Sequence, residues 1–128
     1  MEFDSINLLV TDLERSRQFY QRLGFQFDQP IKQGGLVGYN SRIKLGLYER
    51  VWLQRLFAIE PKLTPPCPSF IWAIAVDDLD QTYQQLLLAG IESFQAPTLT
   101  SWGQRVAFLQ DPDGNLVELF TPCPTQLA

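Results

Sequence analysis

The 128 residues are the size of one ordinary domain, and 45% of them are apolar, enough for a substantial core. A net charge of −4 argues against a nucleic-acid partner, which needs a basic stripe, and zero histidines remove every mechanism that takes an imidazole from this chain. No run approaches the roughly 20 apolar residues that span a bilayer, and the acidic start MEFDS has no signal-peptide character. The expectation is a cytoplasmic protein with no membrane and no nucleic-acid partner.

The chain opens with an apolar strand, FDSINLLV (3–10). A helix follows, with Thr11 as N-cap, Glu14 three residues on in capping-box spacing, and Gly24 as a left-handed stop. Leu13, Ser16, Phe19, Tyr20 and Leu23 share one stripe, and the arginines and glutamines fall mostly on the other. Extended segments FQFDQ (25–29), GLVGYN (35–40) and IKLGLYE (43–49) come next, then a short helix, VWLQRLF (51–57). The proline-rich EPKLTPPCP (60–68) reads as a connection.

A second strand, SFIWAIAV (69–76), leads to a helix capped by Asp77 or Asp78 and stopped by Gly90. Leu79, Tyr83, Leu86 and Leu87 point inward along it. IESFQAP (91–97), QRVAFLQ (104–110) and NLVELFT (115–121) are extended, and DPDG, with Pro second and Gly fourth, suits a type I turn between the last two. Cys67 and Cys123 sit between prolines, match no zinc spacing and read as free thiols.

The two halves repeat. Val10 and Val76, Asp12 and Asp78, Leu13 and Leu79, and Gly24 and Gly90 all lie 66 residues apart, without a gap. The fold class is therefore α+β: two tandem βαβββ modules, about 1–60 and 69–122 with a linker at about 60–68, in one domain. Two such units can join into one curved mixed sheet with the helices outside, leaving a cup as the natural ligand site.

Strand alternation sorts residues between the two faces. Ser5 and Asn7 fall on the cup side, as do Ile71 and Ala73, and Leu116, Glu118 and Phe120. Tyr39, Tyr48, Trp52, Phe57 and Trp102 are aromatic candidates for its walls. In the rim segment SWGQR (101–105), Gly103 frees the backbone beside Trp102, and Arg105 adds a donor. Glu118 has three readings: a carboxylate that is hydrated or paired with Arg105 or Lys44, an anchor for a cationic or hydrogen-bonding ligand group, or a general base in apolar surroundings. Burying it without a partner or a proton is costly.

INLLVTDLERSRQFYQRLGF, IAVDDLDQTYQQLLLAGI and FLQDPDGNLVELFTP resemble the vicinal oxygen chelate superfamily. That group includes lactoylglutathione lyases, extradiol dioxygenases, fosfomycin-modifying enzymes and bleomycin resistance proteins. The resemblance implies the glyoxalase/bleomycin resistance fold, with a divalent metal held by a histidine on the first strand of each module, a glutamate on the last strand and a fourth group on the first module's last strand. The matching positions here are Ser5, Ile71, Glu118 and one near Lys44. Ile71 has no donor atom, Ser5 is a poor ligand for a borderline ion, and a lysine ammonium repels a cation.

Neither metal nor any other cofactor is expected. The chain is most similar in character to the metal-free bleomycin resistance proteins, acidic dimers that sequester a flat, positively charged drug. The resemblance thus implies a homodimer that binds a small aromatic or cationic molecule through Ser5, Asn7, Lys44, Tyr48, Trp52, Ile71, Trp102, Arg105, Glu118 and Phe120. Two alternatives stand beside it: a lyase, isomerase or dioxygenase with a site rebuilt around Glu118, and a scaffold whose cup is vestigial.

Overall fold

A computed structural model describes residues 1–2, 4–27, 34–51, 55, 70–101 and 103–122. Trp52, Phe57 and Trp102, both cysteines, the linker and most of the expected helix at 51–57 lie outside the described residues. The chain divides into two compact units, Met1–Pro65 and Pro66–Ala128.

In the first unit, β1 (Ile6–Val10) leads to α1 (Leu13–Arg22), then to β2 (Gly35–Asn40) and β3 (Ile43–Glu49). The sheet order is β1-β3-β2, with β1 parallel and β2 antiparallel to β3. The strand expected at FQFDQ is reduced, among the described residues, to one bridge between Gln26 and Tyr39. Leu8, Val10, Leu36, Leu45 and Leu47 alternate onto the face that packs against Leu13, Phe19 and Tyr20 of α1. Phe19 meets Tyr20 edge-on at 4.9 Å, and Tyr20 meets Phe25 at 6.0 Å, which ties the end of the helix to the segment that follows it.

The second unit repeats the plan with an added strand: β4 (Ile71–Ala75), α2 (Leu79–Leu88), β5 (Glu92–Leu99), β6 (Arg105–Gln110) and β7 (Leu116–Phe120). The order is β4-β7-β6-β5, with β4 parallel to β7 and the other pairs antiparallel. Ala107, Leu109, Val117 and Leu119 are buried on the helix side with Leu79, Tyr83 and Leu86. Tyr83 Oη and Ser93 Oγ lie 2.6 Å apart and tie α2 to β5. β5 is an edge strand broken by two register shifts and carrying Pro97, devices that discourage pairing with another chain.

The 66-residue repeat extends to the helix caps. The expected Thr11 cap is corrected: Asp12 is the N-cap, in extended conformation, and its carboxylate accepts from Arg15 N at 3.1 Å. Asp78, one of the two candidates in the second unit, does the same for Gln81 N at 3.0 Å. A carboxylate at this position also complements the helix dipole, which a threonine hydroxyl cannot do. At the other end Gly24 (φ 101°) and Gly90 (φ 90°) take the left-handed conformation that turns the chain out of each helix. Asn40 Nδ2 donates to Leu23 O at 3.2 Å, so β2 helps to cap α1.

The DPDG turn forms as expected, and its chemistry exceeds the turn residues. Gly114 N donates to Asp111 O at 3.0 Å, and Gly114 sits at φ 85°. The carboxylate of Asp111, only 4% exposed, accepts from Asp113 N, Asn115 N and Asn115 Nδ2 at 2.7–2.9 Å. This network fixes the entry of β7 and so the position of Glu118.

Candidate functional site

Each sheet has one face under its helix and one face turned the other way. On the second unit's helix-free face, Glu118 of β7 lies between Ala73 of β4 and Phe108 of β6. Ile71 and Leu116 form the neighbouring row, Ala75 and Phe120 the next. Glu118 is half-buried in this apolar setting, as the strand alternation requires. Among the described residues its carboxylate has no hydrogen-bond or ion-pair partner.

The two partners suggested for Glu118 are engaged elsewhere. Arg105 alternates onto the helix side of β6, where its guanidinium donates to Asp80 Oδ1 of α2 at 2.7 Å. It therefore lines a hollow of about 400 Å³ with Asp77, Asp78 and Gln104, on the opposite side of the sheet from Glu118. Lys44 Nζ donates to Asp4 Oδ2 at 3.0 Å. That hydrogen bond and the attached charge hold the Asp4 carboxyl below its ordinary value and push the Lys44 ammonium above its own. Both groups border a hollow of about 520 Å³ with Ser5 and Arg42 at the start of β1 and the β2–β3 turn.

On the first unit's helix-free face, Asn7 of β1 lies beside Gly46 of β3, and Gly46 beside Val37 of β2. One step along, Leu9, Tyr48 and Gly35 form the next row. A β-carbon on Gly46 would lie 2.2 Å from Asn7 Oδ1 and 2.7 Å from Tyr48 Cε2, and one on Gly35 would lie 2.6 Å from Tyr48 Cε1. The Tyr48 ring thus lies down over the sheet in the room of two missing side chains, and the Asn7 amide fills the rest. Ser5 Oγ donates to the same Asn7 oxygen over a long 3.4 Å. The glycines escaped the sequence reading, although a glycine within a strand is a known mark of close approach.

Register also gives the first unit's counterpart of Glu118, a candidate for the fourth family position. Glu118 pairs with Ala73; 66 residues earlier stands Asn7, whose partner is Gly46. The position matching Glu118 in the first unit is therefore Gly46 and not Lys44, two residues away. The four positions carry Ser5, Ile71, Gly46 and Glu118, with one strong donor among them. The room for a fourth ligand's β-carbon is taken by the Asn7 carboxamide. Among the described residues no three His, Cys, Asp or Glu side chains converge as an ion requires. These residues do not fit a divalent ion.

The paired modules, their mixed sheets and the Glu118 strand define a class of protein. Residues 2–119 match the model of the Glyoxalase/Bleomycin resistance protein/Dioxygenase superfamily, and the chain belongs to that superfamily. It is 32% identical over 120 residues to a bleomycin resistance protein of Klebsiella pneumoniae, covering 88% of this chain and 86% of the relative. The crystal structure of a bleomycin resistance determinant encoded on the transposon Tn5 superimposes with a TM-score of 0.64 and 27% identity, covering 94% of this chain and 98% of that one. A glyoxalase/bleomycin resistance protein/dioxygenase from Nocardioides shares the fold with a TM-score of 0.78 at 21% identity, over 97% of this chain and 85% of its own. No helix among the described residues is long and apolar enough to cross a membrane.

Proposed function

We propose that this chain is a metal-independent binding protein for a small aromatic or cationic organic molecule, acting as a cytoplasmic homodimer of single-domain subunits. The observation that carries the reading is the residues at the four positions that the resemblance assigns to metal ligands: Ser5 and Gly46 in the first unit, Ile71 and Glu118 in the second, of which only Glu118 is a strong donor. The similarity to bleomycin resistance proteins supports the ligand class. Glu118, half-buried and without a protein partner among the described residues, suits the anchoring of a cationic group, which would supply the charge that burial demands. The acidic sequence, with pI near 4.6, favours approach of a cation.

Two measurements test this reading. Elemental analysis of protein purified without chelator is expected to find no stoichiometric Ni, Zn, Mn or Fe. A thermal-shift titration with bleomycin is expected to raise the melting temperature, since ligand at a hundred times its dissociation constant adds about 2.7 kcal/mol. Glu118→Gln removes the charge at constant shape and is expected to weaken that response. One tightly held ion per chain, or melting curves indifferent to bleomycin, would overturn the proposal. Light scattering at a monomer mass would remove the homodimer.

A further inference from the structure

An aromatic side chain on a strand ordinarily stands away from the sheet. Tyr48 does not: its Cε1 edge fills the space of a β-carbon on Gly35, and its Cε2 edge that of one on Gly46. Lying this way it turns one π-face to the backbone and the other outward, on the face of the sheet opposite α1. The helix-side residues Leu45 and Leu47 are fully buried, whereas Tyr48 is only half-buried and so keeps accessible surface. Asn7 sits at the ring's border, exposed, with Oδ1 turned over Gly46 toward the Ser5 hydroxyl. Its Nδ2 is thereby left to donate outward. Lys44 follows on the same face, its charge offset by Asp4, so that the pair draws no net charge of either sign to that end.

We infer that Tyr48, laid flat over Gly35 and Gly46, is a stacking platform for a planar, uncharged heteroaromatic group, and that Asn7 Nδ2 donates to an acceptor on the edge of that group. The inference rests on the reading of the chain as a small-molecule binder and narrows it to one chemistry on the first unit's sheet. Planar rings stack on exposed aromatic faces whatever their substituents. The amide at the border selects rings that carry a nitrogen or carbonyl acceptor there.

The test uses riboflavin, a neutral planar heteroaromatic whose fluorescence is quenched by stacking, and spermidine, a cation without a ring. Wild-type protein is expected to quench riboflavin with a saturable curve. Tyr48→Leu is expected to weaken that binding roughly tenfold or more, and Tyr48→Phe to leave it near wild type. Spermidine binding should be the same in all three proteins. In wild-type protein the backbone amides of Gly35 and Gly46 should shift in a ¹⁵N–¹H spectrum as riboflavin is added, a readout that needs no variant to fold. Riboflavin bound equally by Tyr48→Leu, or unmoved glycine amides, would overturn the platform and leave the binding reading to the bleomycin experiment. A wild-type protein that ignores riboflavin but responds to bleomycin would sink the platform alone.

Discussion

Gly46→Ala adds one methyl group to the helix-free face of β3, at a buried position. The new carbon would meet Asn7 Oδ1 at 2.2 Å, Asn7 Cγ at 3.1 Å and Tyr48 Cε2 at 2.7 Å, all well inside contact distance. Asn7 is exposed and can swing away; Tyr48 is half-buried over Gly35 and has less room. Overpacking of this kind costs about 1–3 kcal/mol. Against it stands a gain of about 0.4–1 kcal/mol, because alanine restricts the unfolded chain more than glycine does and Gly46 is not in a left-handed conformation. The net loss is about 1–2 kcal/mol, a drop of roughly 4–7 °C in melting temperature for a chain of this length. Thermal unfolding followed by circular dichroism measures it. Adding Asn7→Ala removes the 2.2 Å clash and should return part of the loss, as non-additivity in a double-mutant cycle. A Gly46→Ala protein that melts at or above wild type would refute the argument that Tyr48 and Asn7 occupy this space.

Three more outcomes follow from the same geometry. Asp111→Ala removes the acceptor of three hydrogen bonds and should cost about 2 kcal/mol in urea denaturation, whereas Asp111→Asn, which keeps an acceptor oxygen, should cost less; equal losses would place the energy elsewhere. Asp12→Ala and Asp78→Ala each delete an N-cap and should each lower stability by about 1 kcal/mol, with a negligible effect from either arguing that the caps are redundant. Lys44 holds the Asp4 carboxyl down, so its contribution to stability is complete above the ordinary value of 3.8 and is lost as pH falls through the lower folded value. The pair is exposed and its effect on folding small; Lys44→Met should nevertheless move the Asp4 midpoint up toward 3.8 in an NMR titration, and an unmoved midpoint would dissolve the pair.

Where local chemistry decides the conformation, the sequence was legible. The offset of 66 placed α1 and α2 in the same register, and Gly24 and Gly90 took the left-handed turns read for them. Alternation along β1, β4 and β7 sorted Asn7, Ala73 and Glu118 from Leu8, Ile74 and Leu119. Legibility failed where two chemistries compete at adjacent positions. Thr11 fits a capping box, but Asp12 offers a charged acceptor one residue later, in line with Asp78. Arg105 looked like a donor for Glu118 because charge alone was weighed; the parity of β6 sends it to Asp80 instead. Trp52, Phe57 and Trp102, the aromatic candidates for the rim, lie outside the described residues.

The deepest gap between sequence and site is Gly46, and it carries the functional argument. From the chain alone, the fourth family position fell near Lys44, and the missing ligand was a matter of the wrong residue type. The paired strands move that position to a glycine and show what the glycine accommodates: the Asn7 carboxamide and the Tyr48 ring occupy the volume through which a ligand side chain would leave the backbone. Restoring one donor at position 46 therefore requires Asn7 to swing away and the half-buried Tyr48 ring to move. On this sheet the glycine at position 46 and the Tyr48 ring belong together: the volume a ligand side chain would need there is the volume the ring and the Asn7 amide fill.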